Sequence, residues 1–312
     1  MNKQLLNRRD FNGLCVALGS SLALVGPAGV ALSSAPARAA THTVKLHDGT
    51  IVPALGQGSA RLGQGKHPEP AEEEALRTGL SLGMTLIDTA EMYGNGRSEE
   101  LIRRVIAGQR DRVSLVSKVS PNHVRGTSRG LAMRALPVSA LIISTCTCCT
   151  GQLGMPISPA LWRHSKVYAR QERFAPGGVS NFNVSDMEEL FRVPHGDRCG
   201  TNQVLYNLTD RGIEQDLLPW CERHSMPVMA YSPLGGAGAN LLRDPTLARI
   251  GAAHSCAAAA VALAWTIRNG NVIAIPESGS AEHVKENAVA LSLILTPDEL
   301  RTLDSVHPPP SR

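Results

Sequence analysis

Short apolar runs that end in a polar side chain alternate with amphipathic segments in this chain. The run Thr85–Ile87 predicts a short buried strand, and Asp88 follows it directly. Tyr93 comes next, on a loop closed by glycines, and the following apolar run, 113–117, ends in Lys118. Strands and helices that alternate in this way are typical of a parallel α/β barrel, in which functional side chains lie at the carboxyl ends of strands.

The three polar residues at these strand ends are together suited to proton transfer. A tyrosine with an ordinary pKa of about 10 is a poor acid at neutral pH. A nearby ammonium stabilises the phenolate, and a carboxylate keeps that amine charged and oriented. Singly, Asp88 can cap a turn, Tyr93 can fill the core and Lys118 can lie on the surface. Their order along successive strands favours a shared catalytic role.

The sequence D-T-A-E-M-Y-G over residues 88–94, followed by S-K at 117–118, resembles the signature of the aldo/keto reductase family. The resemblance extends over roughly residues 42–127 and 177–306. It implies a (β/α)8 TIM barrel that reduces an aldehyde or ketone to an alcohol with NAD(P)H. It further implies that Tyr93 donates the proton. Lys118 would lower the pKa of that tyrosine, Asp88 would anchor Lys118, and a histidine would complete a tetrad.

The same resemblance implies residues that bind a nicotinamide dinucleotide. Ser180, Asn181 and Gln203 would hold the carboxamide, and Tyr231 would stack under the ring so that one hydride faces the substrate. Each of these also has a structural alternative, as a turn residue, a buried amide or a core aromatic. The residues expected at the pyrophosphate and the adenosine are Ser232, Pro233, Leu234, Glu277, Ser278, His283, Glu286 and Asn287.

Two of the adenosine residues depart from the family's pattern. Glu277 replaces the usual lysine and His283 replaces the usual arginine, cations that pair with the 2′-phosphate of NADP. A carboxylate repels phosphate and can accept a hydrogen bond from a free ribose 2′-OH. We therefore expect NADP or NAD as cofactor, with the preference for NADP weakened. No G-x-G-x-x-G motif follows the first strand, so a Rossmann domain is unsupported.

The alternation of strands and helices fails between about residues 128 and 176. The sequence S-T-C-T-C-C-T-G at 144–151 can be encoded by bases that spell D-L-Y-L-L-H-W in another frame, which resembles the family's strand 4. We therefore hypothesise a frame-shifted interval, in which the tetrad histidine straddles the codons of Cys149 and Thr150. Strand 4 and its neighbouring helices would then be disrupted, leaving the edges of strands 3 and 5 open.

Other readings of this interval lead to different functions. His123 and His164 lie in or near it, but neither has the sequence context of the tetrad histidine. The cysteine cluster could instead be a metal or redox site, although its spacing is not typical of zinc and we predict no metal. Without the histidine, the chain could also be an inactive or misfolded product of a disrupted gene, or a barrel that binds nucleotide without turnover.

Residues 1–40 predict a twin-arginine export signal. R-R-D-F at 8–11 precedes an apolar stretch, 14–32, and A-R-A at 37–39 offers a cleavage site. The reductase domain would span 41–312, with the export machinery as a partner and the periplasm as destination. A membrane anchor or a cytoplasmic tail are the alternatives, but glycines and a proline in the stretch argue against a stable span. The net charge of +4, without basic runs among aromatics, gives no support for nucleic-acid binding.

Overall fold

A closed parallel barrel with a small hairpin makes up the sheet structure of the protein. The computed structural model describes residues 42–119, 140–145, 177–236 and 240–311. The hairpin consists of β1 (Thr43–Lys45) and β2 (Ile51–Pro53). The barrel strands are β3 (Gln57–Gly58), β4 (Leu86–Asp88), β5 (Ser114–Val119), β6 (Ala140–Thr145), β7 (Gly178–Ser180), β8 (Asn202–Leu205), β9 (Val228–Tyr231) and β10 (Val272–Ala274).

The barrel strands pair in chain order and all run parallel. Each of β3 to β10 is hydrogen-bonded to its neighbour in sequence. The sheet closes through parallel bridges that join Leu55 to Ala274 and Gly58 to Glu277. Closure removes the free sheet edges, and parallel direction brings the carboxyl end of every strand to one mouth. The (β/α)8 barrel predicted from the sequence is confirmed.

The helices in the described residues connect successive strands or follow the last one. They are α1 (Glu69–Ser81), α2 (Arg97–Ile106), α3 (Val184–Arg192), α4 (Leu217–Arg223), α5 (Pro245–Ala253), α6 (Ala258–Ile267), α7 (Ala281–Ala288) and α8 (Pro297–Val306). Helix α6 is apolar on nearly every side and is buried over most of its length. Among these residues no single helix is long and apolar enough to cross a membrane; α5 and α6 reach that length and composition only together, bent by 91°.

Strand β6 occupies the fourth position of the barrel, where the sequence analysis expected disruption. Its backbone pairs in parallel with β5 on one side and with β7 on the other. The expectation of open edges at the third and fifth strands is therefore wrong. The run A-L-I-I at 140–143 is apolar and ends in two β-branched isoleucines, and strand pairing uses backbone groups that any such run supplies. The helices expected on either side of this strand lie outside the described residues.

Three of the helix starts show different kinds of cap. Gly96 caps α2 with φ +90°, and the buried Ser98 hydroxyl in the first turn bonds to Ser59. At the start of α3 the Asn183 side chain accepts the N–H of Asp186 in a capping box. Helix α8 begins with a second capping box, formed by Thr296 and Glu299.

The hairpin packs its inner face on the same core as the barrel. Val44 and Val52 are 2% and 1% exposed and belong to one hydrophobic cluster with Leu55 and Ala274. Burying a valine side chain contributes about 1.5–3 kcal/mol. A D-G turn at 48–49 connects the two strands, with Gly49 at φ +88°.

Candidate active site

A buried ion pair lies at the carboxyl ends of β4 and β5. The ammonium of Lys118 donates to the two carboxylate oxygens of Asp88 at 2.7 and 2.6 Å, and to the carbonyl of Thr89 at 3.1 Å. Asp88 and Lys118 are only 3% and 4% exposed. Parallel pairing aligns Asp88 with Val116, so that Lys118 follows two residues later on the adjacent strand. The pair is therefore a direct product of strand register.

Tyr93 completes this group at the barrel mouth. The Lys118 ammonium lies 3.2 Å from the Tyr93 hydroxyl oxygen and 5.0 Å from the ring centroid. Tyr93 begins a short 3₁₀ turn, Tyr93–Gly96, whose tight path uses the positive φ of Gly94 and Gly96. The structure thus brings together the three residues that the sequence proposed for proton transfer.

The charges of this group favour an ammonium at Lys118. Burial alone lowers the pKa of a lysine, but attraction to Asp88 and to Tyr93 outweighs burial here, and the pKa of Lys118 is raised above its ordinary value. The amine is therefore charged at neutral pH. A charged donor beside the Tyr93 oxygen stabilises the phenolate that remains after this hydroxyl gives up its proton.

Gln203 links the ion pair to the neighbouring strand ends. Its Nε2 donates to Asp88 Oδ1 at 2.8 Å and lies 2.9 Å from the sulfur of Met229. An ionised carboxylate only accepts, so the amide nitrogen of Gln203 must face Asp88. The side-chain oxygen of Gln203 is left as an acceptor, with no donor to it among the described residues. On β7, the Ser180 hydroxyl donates to the backbone carbonyl of Gln203 at 2.9 Å.

The residues after β7 and β9 have an uncommon backbone conformation. Asn181 has φ +58° and Ser232 has φ +49°. Asparagine tolerates the left-handed region, whereas serine is held there only when its surroundings fix it. The Ser232 carbonyl accepts a hydrogen bond from the Asn207 side chain at 3.0 Å, which is one such constraint. The half-buried Tyr231 lies just before this turn, at the end of β9.

The remaining predicted residues lie beyond β9 and β10. Pro233 is buried and Leu234 half-buried in the loop after β9. Ser278 bonds to the backbone of Ser280, which in turn caps α7. Helix α7 carries the other three, of which Asn287 is buried and His283 and Glu286 are exposed. Helix α7 follows β10 along the chain, so these three residues come after the carboxyl end of that strand.

Glu277 has a cationic partner that the sequence analysis missed. The backbone N–H of Arg61 donates to Glu277 Oε2 at 2.6 Å, and Arg61 Nε donates to Oε1 at 2.9 Å. The two residues are 216 positions apart and meet because the first and last strands of the barrel are neighbours. Barrel closure was the signal that could have found Arg61, since it sets the loop after β3 beside the loop after β10.

These strand ends fit a nicotinamide dinucleotide. The Gln203 side-chain oxygen offers an acceptor for an amide N–H, directly beside the Asp88–Lys118 pair. Ser180 and Tyr231 end the strands on either side of β8 and add a hydroxyl and a half-buried aromatic ring. An acceptor, a hydroxyl and a ring face are the groups that hold a carboxamide and its ring.

Several candidates from the sequence lie outside the described residues. The predicted position of the tetrad histidine, at Cys149 and Thr150, is one of them, and so are the rest of the cysteine cluster, His123 and His164. In the parts of the chain that the structure describes, no group of three or more His, Cys, Asp or Glu side chains is arranged to hold a metal ion.

A parallel barrel with a carboxylate, an ammonium and a phenol at its mouth is the architecture of a barrel oxidoreductase. The sequence profile of the Aldo/keto reductase family matches residues 54–137 and 176–308. The chain belongs to the aldo/keto reductase family, as the motifs had indicated.

Relatives and solved structures agree with this assignment. Methylglyoxal reductase YeaE of Escherichia coli K12 is 42% identical over 267 residues, 83% of this chain and 92% of that protein. An aldo/keto reductase of Klebsiella pneumoniae, solved in complex with NADP and acetate, superposes with a TM-score of 0.79 at 38% identity, covering 87% of this chain and 97% of that one. The thermostable aldo-keto reductase Tm1743, in complex with epalrestat, gives a TM-score of 0.71 at 31% identity, covering 85% and 99%.

Proposed function

We propose that this protein reduces an aldehyde or ketone to the corresponding alcohol with NADPH or NADH. The observation that carries the proposal is the Lys118 ammonium, bonded to Asp88 and 3.2 Å from the Tyr93 hydroxyl oxygen. Membership of the aldo/keto reductase family supports the reaction, and the NADP complex of the Klebsiella relative supports the cofactor.

The side chains at the barrel mouth would have separate roles in cofactor binding and in proton transfer. Bound nicotinamide supplies the hydride. Ser180, Asn181 and Gln203 would hold its carboxamide, and Tyr231 would cover one face of the ring. Tyr93 donates its proton to the carbonyl oxygen as that oxygen gains negative charge. Its phenolate is then stabilised by Lys118.

A small α-oxo-aldehyde is the first substrate to test. The relative from Escherichia coli is called a methylglyoxal reductase and is 42% identical. We therefore propose methylglyoxal and similar short dicarbonyls as the substrate class for this chain.

The reaction is tested by following NADPH oxidation with methylglyoxal and with a simple aldehyde. Tyr93→Phe removes the proton donor and keeps the ring, so turnover should fall by about 10²-fold or more while NADPH still binds. Cofactor binding without turnover in the wild type would favour the nucleotide-binding alternative. Absence of both would favour an inactive or misfolded product.

We also propose that the interval at about residues 128–176 is translated from a shifted frame. The family profile matches the chain up to residue 137 and again from residue 176. A match on both sides of one unmatched interval supports a local change of reading frame within a gene of this family. Sequencing codons 120–180 from the source DNA tests the idea. A single base whose insertion or removal yields D-L-Y-L-L-H-W is expected. Codons that cannot spell this motif would refute the shift and give the cysteine cluster a role of its own.

Export by the twin-arginine route is a separate proposal. It is supported by the arginine pair Arg8 and Arg9 and by the A-R-A site at 37–39. This route carries folded proteins, so the barrel would cross with cofactor already bound, because nicotinamide cofactors are scarce outside the cytoplasm. Fractionation should find a periplasmic protein that begins near Ala40 or Thr41. Replacing both arginines by lysine should retain the uncleaved chain in the cytoplasm; export of that variant would exclude the route.

A further inference from the structure

The loop after β3 lies against the segment after β10 at two points. Arg61 binds the carboxylate of Glu277 through its backbone N–H and its Nε. His67 lies over Gly279, where an added Cβ would come within 2.6 Å of the imidazole ring. The two segments therefore form one continuous wall at the barrel mouth, and Arg61 holds a fixed place in it.

The guanidinium of Arg61 is only partly used by this contact. Nε is bonded to Glu277, whereas the two terminal nitrogens have no hydrogen-bond acceptor among the described residues. The side chain of Arg61 is 65% exposed and that of Glu277 is 15% exposed. Four N–H donors thus remain open to solvent on an arginine that Glu277 holds in place through the backbone N–H and Nε. Donors fixed in this way suit an oxyanion.

The position of this pair matters for the charge that the wall offers to a ligand. Ser59, two residues before Arg61, donates its hydroxyl to the backbone carbonyl of Asp88 at 2.8 Å, so this loop starts at the catalytic strand end. Glu277 alone would present a negative charge there. With Arg61 bound to it, that charge is compensated, and the remaining N–H donors give the pair a positive outer side.

We propose that Arg61 determines how this enzyme accepts the 2′-phosphate of NADPH. It cancels the repulsion that Glu277 would exert on the phosphate and offers it the free N–H donors. The inference rests on the proposed cofactor and replaces the expectation that Glu277 by itself weakens the preference for NADP. Arg61 is thereby a specificity-determining residue that acts together with Glu277.

The experiment is a fluorescence titration of the full chain with NADPH and, separately, with NADH. Arg61→Gln should raise the Kd for NADPH by about tenfold, because Glu277 is then uncompensated, and should change the Kd for NADH by less than about threefold. Arg61→Lys keeps the charge and should restore most of the NADPH affinity. Glu277→Gln should lower the Kd for NADPH. The double variant should lose much less NADPH affinity than Arg61→Gln alone.

Arg104→Gln is the matched control, since Arg104 is another partly exposed arginine that binds glutamates, Glu69 and Glu73, on α1. It should leave both dissociation constants unchanged. Equal weakening of NADPH and NADH by Arg61→Gln, or no change in their ratio, would overturn the inference while leaving the proposed reaction intact. Failure of the folded wild type to bind either cofactor would overturn both.

Discussion

The Nε2 of Gln203 donates a hydrogen bond to Asp88 Oδ1 across the barrel at 2.8 Å, although the two residues are 115 positions apart. Asp88 holds the ammonium beside Tyr93, the proposed proton donor, and Gln203 belongs to the set proposed for the nicotinamide carboxamide. A single side chain therefore contacts the proton-transfer group and is available to the cofactor.

Replacement of Gln203 tests this double contact. Gln203→Met keeps the length but removes the amide, so we expect weaker binding of both cofactors and a loss in kcat/KM of about tenfold or more. Gln203→Glu places a second carboxylate beside Asp88 and should be worse, because like charges at this distance repel. Steady-state kinetics with a cofactor titration measures both. Equal activity of the two variants would contradict a role that depends on charge.

Removal of the buried ammonium should damage both stability and turnover. Lys118→Met leaves the Asp88 carboxylate buried without its cation, which costs about 3–5 kcal/mol. Denaturant unfolding should show this loss, and turnover should fall with it. The double variant Asp88→Leu, Lys118→Met removes the uncompensated charge as well, and should recover much of the stability but none of the activity. Recovery of activity would remove Lys118 from the mechanism.

The buried carboxyl of Glu99 predicts a pH-dependent stability. Burial raises the pKa of Glu99 above its ordinary value of 4.5, although the Ser117 hydroxyl, which donates to it at 2.8 Å, opposes the shift. A raised folded pKa means that protonated Glu99 stabilises the fold below the unfolded pKa and that this stability is lost as pH rises. Glu99→Gln should therefore raise the melting temperature by a few degrees at pH 8 and by less at pH 4. A larger effect at pH 4 than at pH 8 would contradict a raised pKa for Glu99.

The cap of α5 gives the opposite pH dependence. Burial raises the pKa of Asp244, but the N–H groups of Thr246 and Leu247 and the neighbouring His307 outweigh it, so that the pKa lies below its ordinary value of 3.8. This carboxylate stabilises the fold above the unfolded pKa, and its contribution is lost as pH falls through the folded value. Asp244→Ala should cost about 0.5–2 kcal/mol at pH 7 and less in acid. Thermal melts at both pH values check this.

The sequence predicted the barrel and the proton-transfer residues because both follow from local patterns. Asp88 and Lys118 each end an apolar run, and parallel strands place such ends together without further information. The cap of α3 shows where local patterns stop, since Asn183 and Ser185 are equally good capping residues by type and only the path of the chain makes Asn183 the cap.

What the sequence could not supply were contacts set by closure of the barrel. The partner of Glu277 is Arg61, and the partner of Asp88 beyond Lys118 is Gln203, at separations that no local pattern spans. The fourth strand was missed for another reason. The family profile does not match its residues, yet the backbone of this apolar run pairs with both neighbouring strands.

Closure of the barrel between β3 and β10 also bears on how the protein matures. The wall formed by Arg61 and Glu277 needs residues from both ends of the barrel, so it cannot exist on the ribosome until the last strand has left the exit tunnel. Contacts of such long sequence separation are slow to form, because closing the intervening loop costs entropy before the contact stabilises the chain. A product of translation that stops before residue 277 lacks Glu277 and cannot form this contact, however well its first strands have folded.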